Sequence, residues 1–155
     1  MPVLVTKSAK ETKRVAREFA HFLMRELELG KHATVIALSG ALGGGKTTFA
    51  QGFARGLGVK EKVKSPTFVL LQQYKLKVKS AKFKVQSFTH FYHLDCYRLK
   101  KPQEVRAIGL PEVLENPRNL VLIEWAEKIK SALPKRKIVV KFFHVGKNSR
   151  KISVN

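Results

Sequence analysis

The spacing of apolar residues predicts a long amphipathic helix near the N-terminus. Over residues 8–30 apolar side chains recur at helical spacing, and Gly30 is a typical stop signal. Ser8 and Glu11 have the S-x-x-E spacing of a helix-capping box. The helix is therefore expected to begin at Ser8 and to present one apolar face to the rest of the domain.

Short apolar runs bounded by turn residues predict strands and further helices in the rest of the chain. Strands are expected within residues 33–40, 68–78, 83–99, 120–123, 137–145 and 150–154. Helices are expected from the glycine-rich segment after residue 40 through residue 57, within 102–116 and over 126–133. Turns near residues 79–81 and at 146–149 would form antiparallel hairpins. This alternation indicates an α/β fold with a mixed β-sheet flanked by helices.

Composition indicates a soluble globular protein of one domain, residues 1–155. Hydrophobic residues make up 44% of the chain and charged residues 27%. No apolar run is long enough to span a bilayer, and no stretch has the features of a signal peptide. Cys96 is the only cysteine, which excludes an internal disulfide. We therefore expect a cytoplasmic protein without a membrane association.

Charge is the unusual property of this sequence. Lys and Arg number 31 against 11 Asp and Glu, which gives a formal net charge of +20. Such a charge attracts polyanions, namely RNA, DNA, nucleotides or an acidic protein. A general drift towards lysine in an AT-rich genome is the alternative explanation, and both stay open.

Residues 40–47, GALGGGKT, match the phosphate-loop pattern G-x-x-x-x-G-K-[ST] between a predicted strand and a predicted helix. Glycines let the backbone curl until several N–H groups face one anion, and the following helix adds its positive end. Lys46 can reach the β- and γ-phosphates, and the Thr47 hydroxyl can bind Mg²⁺. The pattern therefore predicts a P-loop NTPase fold that binds ATP or GTP.

Hydrolysis also needs a carboxylate for the metal and the attacking water. Asp95 is the only aspartate and follows the apolar segment FYHL, while Glu124 follows the buried segment LVLI. Ligands bind at the carboxyl ends of strands in open α/β sheets, so both acids are candidates for metal binding and catalysis. The alternative for Glu124 is an acid favoured by the dipole at a helix start.

The segment Ser65-Pro66-Thr67 presents a threonine from a loop, because proline biases the preceding residue towards extended backbone. A loop threonine can respond to γ-phosphate and Mg²⁺, which makes Thr67 a candidate switch residue. Ser-Pro-Thr is equally an ordinary turn.

Together and in this order, the motifs resemble one family: TsaE (formerly YjeE), the small P-loop ATPases of bacterial tRNA threonylcarbamoyladenosine biosynthesis. The resemblance covers most of the chain and rests on SAKETKRVA, GALGGGKTTFAQGFARGLG, VKSPTF, HLDCYRL, IGLPEVLEN and LVLIEWAEK. It implies slow Mg²⁺-dependent ATP hydrolysis in a complex with the TsaB–TsaD synthase proteins, which act on tRNA. The chain differs in a longer, more basic segment, YKLKVKSAKFKVQSF, and in GGG where GAG is commoner.

The resemblance also implies roles for individual residues. Asp95 and Glu124 would serve the metal and the water, Thr47 would be a metal ligand, Lys46 would act on the phosphates and Thr67 would be the switch. The residues expected to contact the nucleotide are Thr12, Leu42, Gly43, Gly44, Gly45, Lys46, Thr47, Thr48 and Trp125.

The basic segment and a histidine-cysteine group have more than one interpretation. The lysines of the first predicted hairpin would share one face: Lys75, Lys77, Lys79, Lys82 and Lys84. They would either contact tRNA or an acidic partner protein, or protect an edge of the sheet from pairing with another strand. His90, His93 and Cys96 lack the spacing of a zinc site, and a Cys96–His nucleophile pair lacks an orienting group. His93 is instead expected to orient Asp95 or to pack in the crevice.

Two other functions remain open. A small-molecule P-loop kinase should carry an arginine-bearing lid, whereas the nine arginines here are not clustered. The second alternative function is that of a basic nucleic-acid-binding module with a vestigial nucleotide site.

Overall fold

The computed structural model describes residues 2–64, 71–77 and 88–155, which form a mixed seven-stranded sheet flanked by helices. The strands are β1 (Val3–Thr6), β2 (Thr34–Gly40), β3 (Leu71–Lys75), β4 (His90–Asp95), β5 (Asn119–Glu124), β6 (Ile138–His144) and β7 (Arg150–Val154). The α-helices are α1 (Ala9–Glu26), α2 (Lys46–Gly56) and α3 (Leu110–Glu115), and 3₁₀ helices span Pro102–Arg106 and Ala126–Ala132. Among these helices none has the length and hydropathy to cross a bilayer.

The sheet has a parallel centre and antiparallel edges, in the order β1–β7–β6–β2–β5–β4–β3. Strand β2 pairs in parallel with β5 and β6, and β5 pairs in parallel with β4. The antiparallel pairs are β3 with β4, β6 with β7, and β1 with β7. The predicted α/β class with a mixed sheet and antiparallel hairpins is confirmed, and the predicted turn near residues 79–81 lies outside the described residues. The edge strand β1 was not predicted.

The central strand β5 explains why its sequence is a continuous apolar run. All six of its residues are buried, because helices cover both faces of the sheet there. Leu120 and Leu122 pack in the layer under α1 and α2, whereas Val121 and Ile123 pack in the layer under α3 and the 3₁₀ helices. Because β2, β4 and β5 run parallel to each other, their carboxyl ends lie along one edge of the sheet.

Helix α1 begins as its capping signal predicts. The Ser8 Oγ atom accepts a hydrogen bond from the Glu11 backbone N–H at 3.1 Å, and Glu11 Oε2 accepts one from the Lys7 N–H at 2.7 Å. The helix ends at Glu26, earlier than the predicted stop at Gly30, because Leu27 already has extended backbone (φ −88, ψ 120).

Helices α1 and α2 pack with their backbones in close contact. A Cβ atom added at Gly52 would lie 2.4 Å from the Lys13 carbonyl oxygen, and one at Gly56 would lie 2.8 Å from the Ala20 Cβ atom. Both distances are shorter than real contacts, so only glycine permits this approach. The contact fixes α1 against the helix that follows the phosphate loop (residues 40–47).

We predict that Gly52→Ala lowers the free energy of unfolding by about 1–3 kcal/mol, because overpacking against a rigid backbone exceeds the helix-propensity gain of alanine. Urea denaturation measures the change. Gly30→Ala is the matched control, since its Cβ atom would meet only the His32 carbonyl oxygen, at 3.9 Å. Equal stability of the two variants would show that the helices can separate without cost.

Candidate functional site

The phosphate loop connects β2 to α2 and requires glycine at its turns. Gly43 has φ +71 and Gly45 has φ +99, in the region that side chains avoid. Gly45 directly precedes α2, so the curled backbone leads into the positive N-terminal end of that helix. The two positive φ angles give the loop the tight turns that are typical of backbone anion-binding nests.

Lys46, the first residue of α2, turns its side chain back towards the loop. Its Nζ atom donates hydrogen bonds to the carbonyl oxygens of Gly40 (2.6 Å) and Ala41 (2.9 Å). The same atom lies 3.9 Å from the centre of the Trp125 ring, a cation–π contact. Lys46 is 4% exposed, and its ammonium group is held by the loop carbonyls and the indole together.

Burial lowers the pKa of Lys46, and the negative charges of Glu127, Glu124 and Asp95 oppose that shift. The three acids come from different elements, namely the 3₁₀ helix after β5, β5 itself and β4, and all act electrostatically on the lysine. The site thus brings a cation and several carboxylates within electrostatic range of each other.

Glu124, the last residue of β5, is the most constrained acid of this group. It is 1% exposed, and its Oε1 atom accepts a hydrogen bond from the Thr47 hydroxyl at 2.6 Å. Its Oε2 atom lies 2.7 Å from His93 Nε2, and His93 Nδ1 lies 3.1 Å from Gln72 Oε1. A continuous polar chain therefore runs from β3 through β4 and β5 to α2.

Asp95 lies beside Glu124 but has a different environment. The two residues are register partners at the ends of β4 and β5. Asp95 is half-buried, and its Oδ1 atom accepts a hydrogen bond from the Tyr97 N–H at 2.9 Å. Of the two expectations for His93, packing in the crevice agrees with its complete burial, whereas orientation of Asp95 is wrong. The longer Glu124 side chain reaches back to the imidazole, while the aspartate caps the following turn.

A cavity of about 500 Å³ lies over the phosphate loop. Its positive groups are Lys7, Lys46 and Arg150, and Glu124 is the acid in its described lining. All nine predicted nucleotide-contacting residues line it: Thr12, Leu42, Gly43, Gly44, Gly45, Lys46, Thr47, Thr48 and Trp125. Of the three predicted metal ligands, Thr47 and Glu124 line the cavity, and Asp95 is not part of its described lining.

Several predicted residues cannot be compared with the structure in this way. Thr67 lies outside the described residues, and so do Lys79, Lys82 and Lys84 of the basic segment. Lys75 and Lys77 are exposed, and Leu76 between them is buried, which agrees with the predicted alternation of that strand.

The start of α1 contributes a wall that sequence reasoning did not predict beyond Thr12. Lys7, Ser8 and Ala9 line the cavity, and the Thr12 hydroxyl donates to the Ser8 carbonyl oxygen at 3.1 Å while contacting the Thr6 hydroxyl at 2.7 Å. A second helix N-terminus therefore faces the cavity. The capping box located this helix start but gave no sign that it meets the loop.

The β6–β7 hairpin was predicted as an element, but it also forms a wall of the cavity, which the sequence did not indicate. Arg150 Nε donates to the Gly43 carbonyl oxygen at 3.2 Å, and His144 Nε2 lies 3.3 Å from the Leu42 carbonyl oxygen. The hairpin also contributes Asn148 to the cavity lining. No spacing in the sequence relates these residues to the phosphate loop.

Trp125 follows Glu124 with a backbone conformation that is costly for tryptophan. It has φ +57 and ψ +39, the only positive φ at a non-glycine position among the described residues. Such a conformation costs about 1–3 kcal/mol and persists where the surroundings impose it. It places the indole against Lys46, with its ring centre 5.1 Å from that of Tyr97.

Comparisons with known proteins agree with this architecture. A family model described as threonylcarbamoyl adenosine biosynthesis protein TsaE matches residues 6–152. The chain is 33% identical over 148 residues to the tRNA threonylcarbamoyladenosine biosynthesis protein TsaE of Bacillus subtilis, covering 96% of this chain and 81% of the relative. The protein of the same name from Treponema pallidum is 33% identical over 150 residues, 97% of each chain.

Similarity extends to a solved structure. The crystal structure of Bacillus subtilis YdiB aligns with a TM-score of 0.70 and 30% sequence identity, covering 97% of this chain and 82% of that chain. The sequence and structural comparisons both cover nearly the whole of this chain.

Cys96 gives a direct test of the packing behind this site. Its side chain is 0% exposed, and burial, with a smaller contribution from Asp95, raises the pKa of the thiol to about 12. Because the thiolate is the reactive form, we predict that Cys96 reacts with Ellman's reagent at pH 8 at least about 100-fold more slowly in the native protein than in urea. Similar rates in the two states would contradict the buried position and reopen a role for this thiol.

Proposed function

Because the chain belongs to the TsaE family of threonylcarbamoyl adenosine biosynthesis proteins, we propose that it binds ATP with Mg²⁺ and hydrolyses ATP slowly in support of tRNA threonylcarbamoyladenosine modification. The observation that carries this proposal is the contact between the Thr47 hydroxyl and the buried Glu124 carboxylate inside a cavity that is otherwise positively charged.

The cavity suits a polyphosphate. Lys7, Lys46 and Arg150 supply positive charge, and the N-terminal ends of α1 and α2 add backbone donors. The carbonyl groups that hold Lys46 are uncharged, so a phosphate oxygen is a stronger partner for the ammonium than either of them.

The donor set also suits Mg²⁺, which prefers hydroxyl, carboxylate and water oxygens. Thr47 and Glu124 would hold the ion or its water shell, with Asp95 one strand away as the further acid. A bound Mg²⁺ ion supplies neutralisation of the phosphate charge.

The protein's own groups have distinct tasks in this proposal. Lys46 binds the phosphates, and Glu124 accepts hydrogen bonds that keep its carboxylate aimed at the position of the attacking water. Trp125 forms an apolar wall that limits the entry of other water.

The proposed partners are TsaB–TsaD-type synthase proteins, with tRNA reached through them or through the basic surface. The formal charge of +20 favours association with either an acidic protein or RNA. The names of the relatives place those proteins in tRNA threonylcarbamoyladenosine biosynthesis, which supports the same pathway for this chain. A cytoplasmic location is part of the same proposal.

The single tryptophan is the probe for nucleotide binding. Because the Lys46 ammonium lies on the Trp125 ring, movement of the ammonium towards a phosphate should change the indole fluorescence. We predict a saturable response to Mg·ADP in the wild type and an affinity at least about 100-fold weaker in Lys46→Ala, which loses charge-assisted contacts to phosphate.

Lys128→Ala is the matched control, since Lys128 Nζ lies 5.8 Å from the same ring and outside the lining of the cavity. Its response to Mg·ADP should remain. A wild type that shows neither a fluorescence response nor binding by calorimetry would favour the vestigial-site alternative and overturn the proposal.

Catalysis is tested with Glu124→Gln, which keeps the shape of the side chain. We predict Mg·ADP binding close to that of the wild type and ATP turnover reduced about 100-fold or more. The amide of the variant cannot accept a proton from water as the carboxylate would. The assay is phosphate release with and without the TsaB–TsaD-type proteins. Glu115→Gln, an exposed change at the end of α3, is the control. Phosphate release by Glu124→Gln at the wild-type rate would refute the role. ADP formation by the wild type without phosphate release, and only when a small-molecule acceptor is present, would indicate a kinase.

A further inference from the structure

We propose that His93 and Gln72 are positioning residues that fix the orientation of the Glu124 carboxylate, an inference that rests on the function proposed above. The proposal comes from the polar chain Gln72–His93–Glu124–Thr47, with separations of 3.1, 2.7 and 2.6 Å.

The carboxylate is held from two directions by two different elements. The Thr47 hydroxyl, on α2, donates to Oε1, and Nε2 of the His93 imidazole, on β4, lies 2.7 Å from Oε2. An ionised carboxylate can only accept, so the imidazole is the donor to it. Each oxygen has its own partner, so rotation of the carboxylate would break one of the two bonds. His93 is 0% exposed and Glu124 is 1% exposed, so water cannot replace a lost donor at low cost.

Gln72 fixes the imidazole in turn. Gln72 and His93 are direct register partners in the antiparallel pair of β3 and β4, which puts their side chains on one face of the sheet. When the Gln72 amide nitrogen donates to Nδ1, the neutral imidazole carries its proton on Nε2, which faces the carboxylate. When the amide oxygen faces Nδ1, the same Nε2–H bond requires a proton on both ring nitrogens. The edge strand β3 therefore contributes to the site without touching it.

A second reason to hold Glu124 is the nearby cation. The negative charge of Glu124 acts on the Lys46 ammonium, so an unrestrained carboxylate would be drawn into a direct ion pair with it. That pair would remove the lysine from the phosphates and the acid from the water. The hydrogen bond from His93 holds the Glu124 carboxylate away from the Lys46 ammonium, so that each can interact with its own partner.

The test compares two replacements at residue 93. His93→Leu is similar in volume and has no donor, whereas His93→Gln retains an N–H group. We predict that His93→Leu lowers kcat about 10–100-fold with KM for ATP within about threefold of the wild type, and that His93→Gln recovers part of the loss. A role in packing alone predicts the opposite order, with leucine the better replacement.

His90→Gln is the matched control on the same strand, because the one side-chain hydrogen bond of His90 in the described part of the chain is with the neighbouring Thr89 hydroxyl. Its kcat should equal that of the wild type. In a Glu124→Gln background, His93→Leu should cause no further loss of turnover, since His93 acts through the carboxylate.

A readout without turnover is the imidazole N–H signal of His93 in ¹⁵N-edited NMR of the full chain. We expect a proton protected from solvent exchange in the wild type and in Lys46→Ala, and rapid exchange in Glu124→Ala.

If His93→Leu does not fold, Gln72→Leu takes its place, with exposed Gln73→Leu as its control. An unchanged kcat in a folded His93→Leu or Gln72→Leu protein would overturn this inference, whereas absent nucleotide binding in the wild type would overturn the proposed function.

Discussion

A buried carboxylate that must be paired determines the organisation of this site. Taking an ionised glutamate out of water costs several kcal/mol unless hydrogen bonds replace the lost hydration. Glu124 satisfies this requirement with the Thr47 hydroxyl and the His93 imidazole. The pairing joins the helix after the phosphate loop to two strands of the sheet. It also explains why the apolar strand LVLI ends in an acid, since the strand end is simultaneously core and cavity wall.

Close backbone approach is the second condition for the site. Gly52 lets α1 rest on α2, and α1 then brings Ser8 and Thr12 to the cavity. On the other side, a Cβ atom at Gly40 would lie 2.5 Å from the Phe142 carbonyl oxygen, so β6 can pass directly beside the start of the loop. The cavity is thus shaped by where glycine removes side chains as much as by the side chains that line it.

Local signals were sufficient to predict the elements that carry the site. The capping pair at Ser8 and Glu11, the phosphate-loop pattern and the apolar run of β5 each depend on residues close together in sequence, and each has its predicted structure. Strand β1 was missed because it is four residues long and its first three residues are exposed, which leaves almost no alternating pattern.

Contacts between distant segments could not be predicted from spacing. His93 meets Glu124 only because β4 and β5 are neighbours in the sheet, and the two residues are 31 positions apart. From the sequence, His93 was expected either to orient the nearer acid, Asp95, or to pack in the crevice. Arg150 and Gly43, which are 107 positions apart, meet because β7 folds back beside the loop, and neither residue's surroundings in sequence indicate this.

The hydrogen bond between Arg150 and Gly43 joins segments that the ribosome synthesises at different times. Domains generally fold as units during or after synthesis, and here the glycine segment emerges long before the hairpin that completes its enclosure. A nascent chain that has not yet reached the β6–β7 hairpin therefore contains the phosphate loop without one wall of the cavity. The complete cavity can therefore form only after Arg150 has been synthesised and β7 has paired with β6.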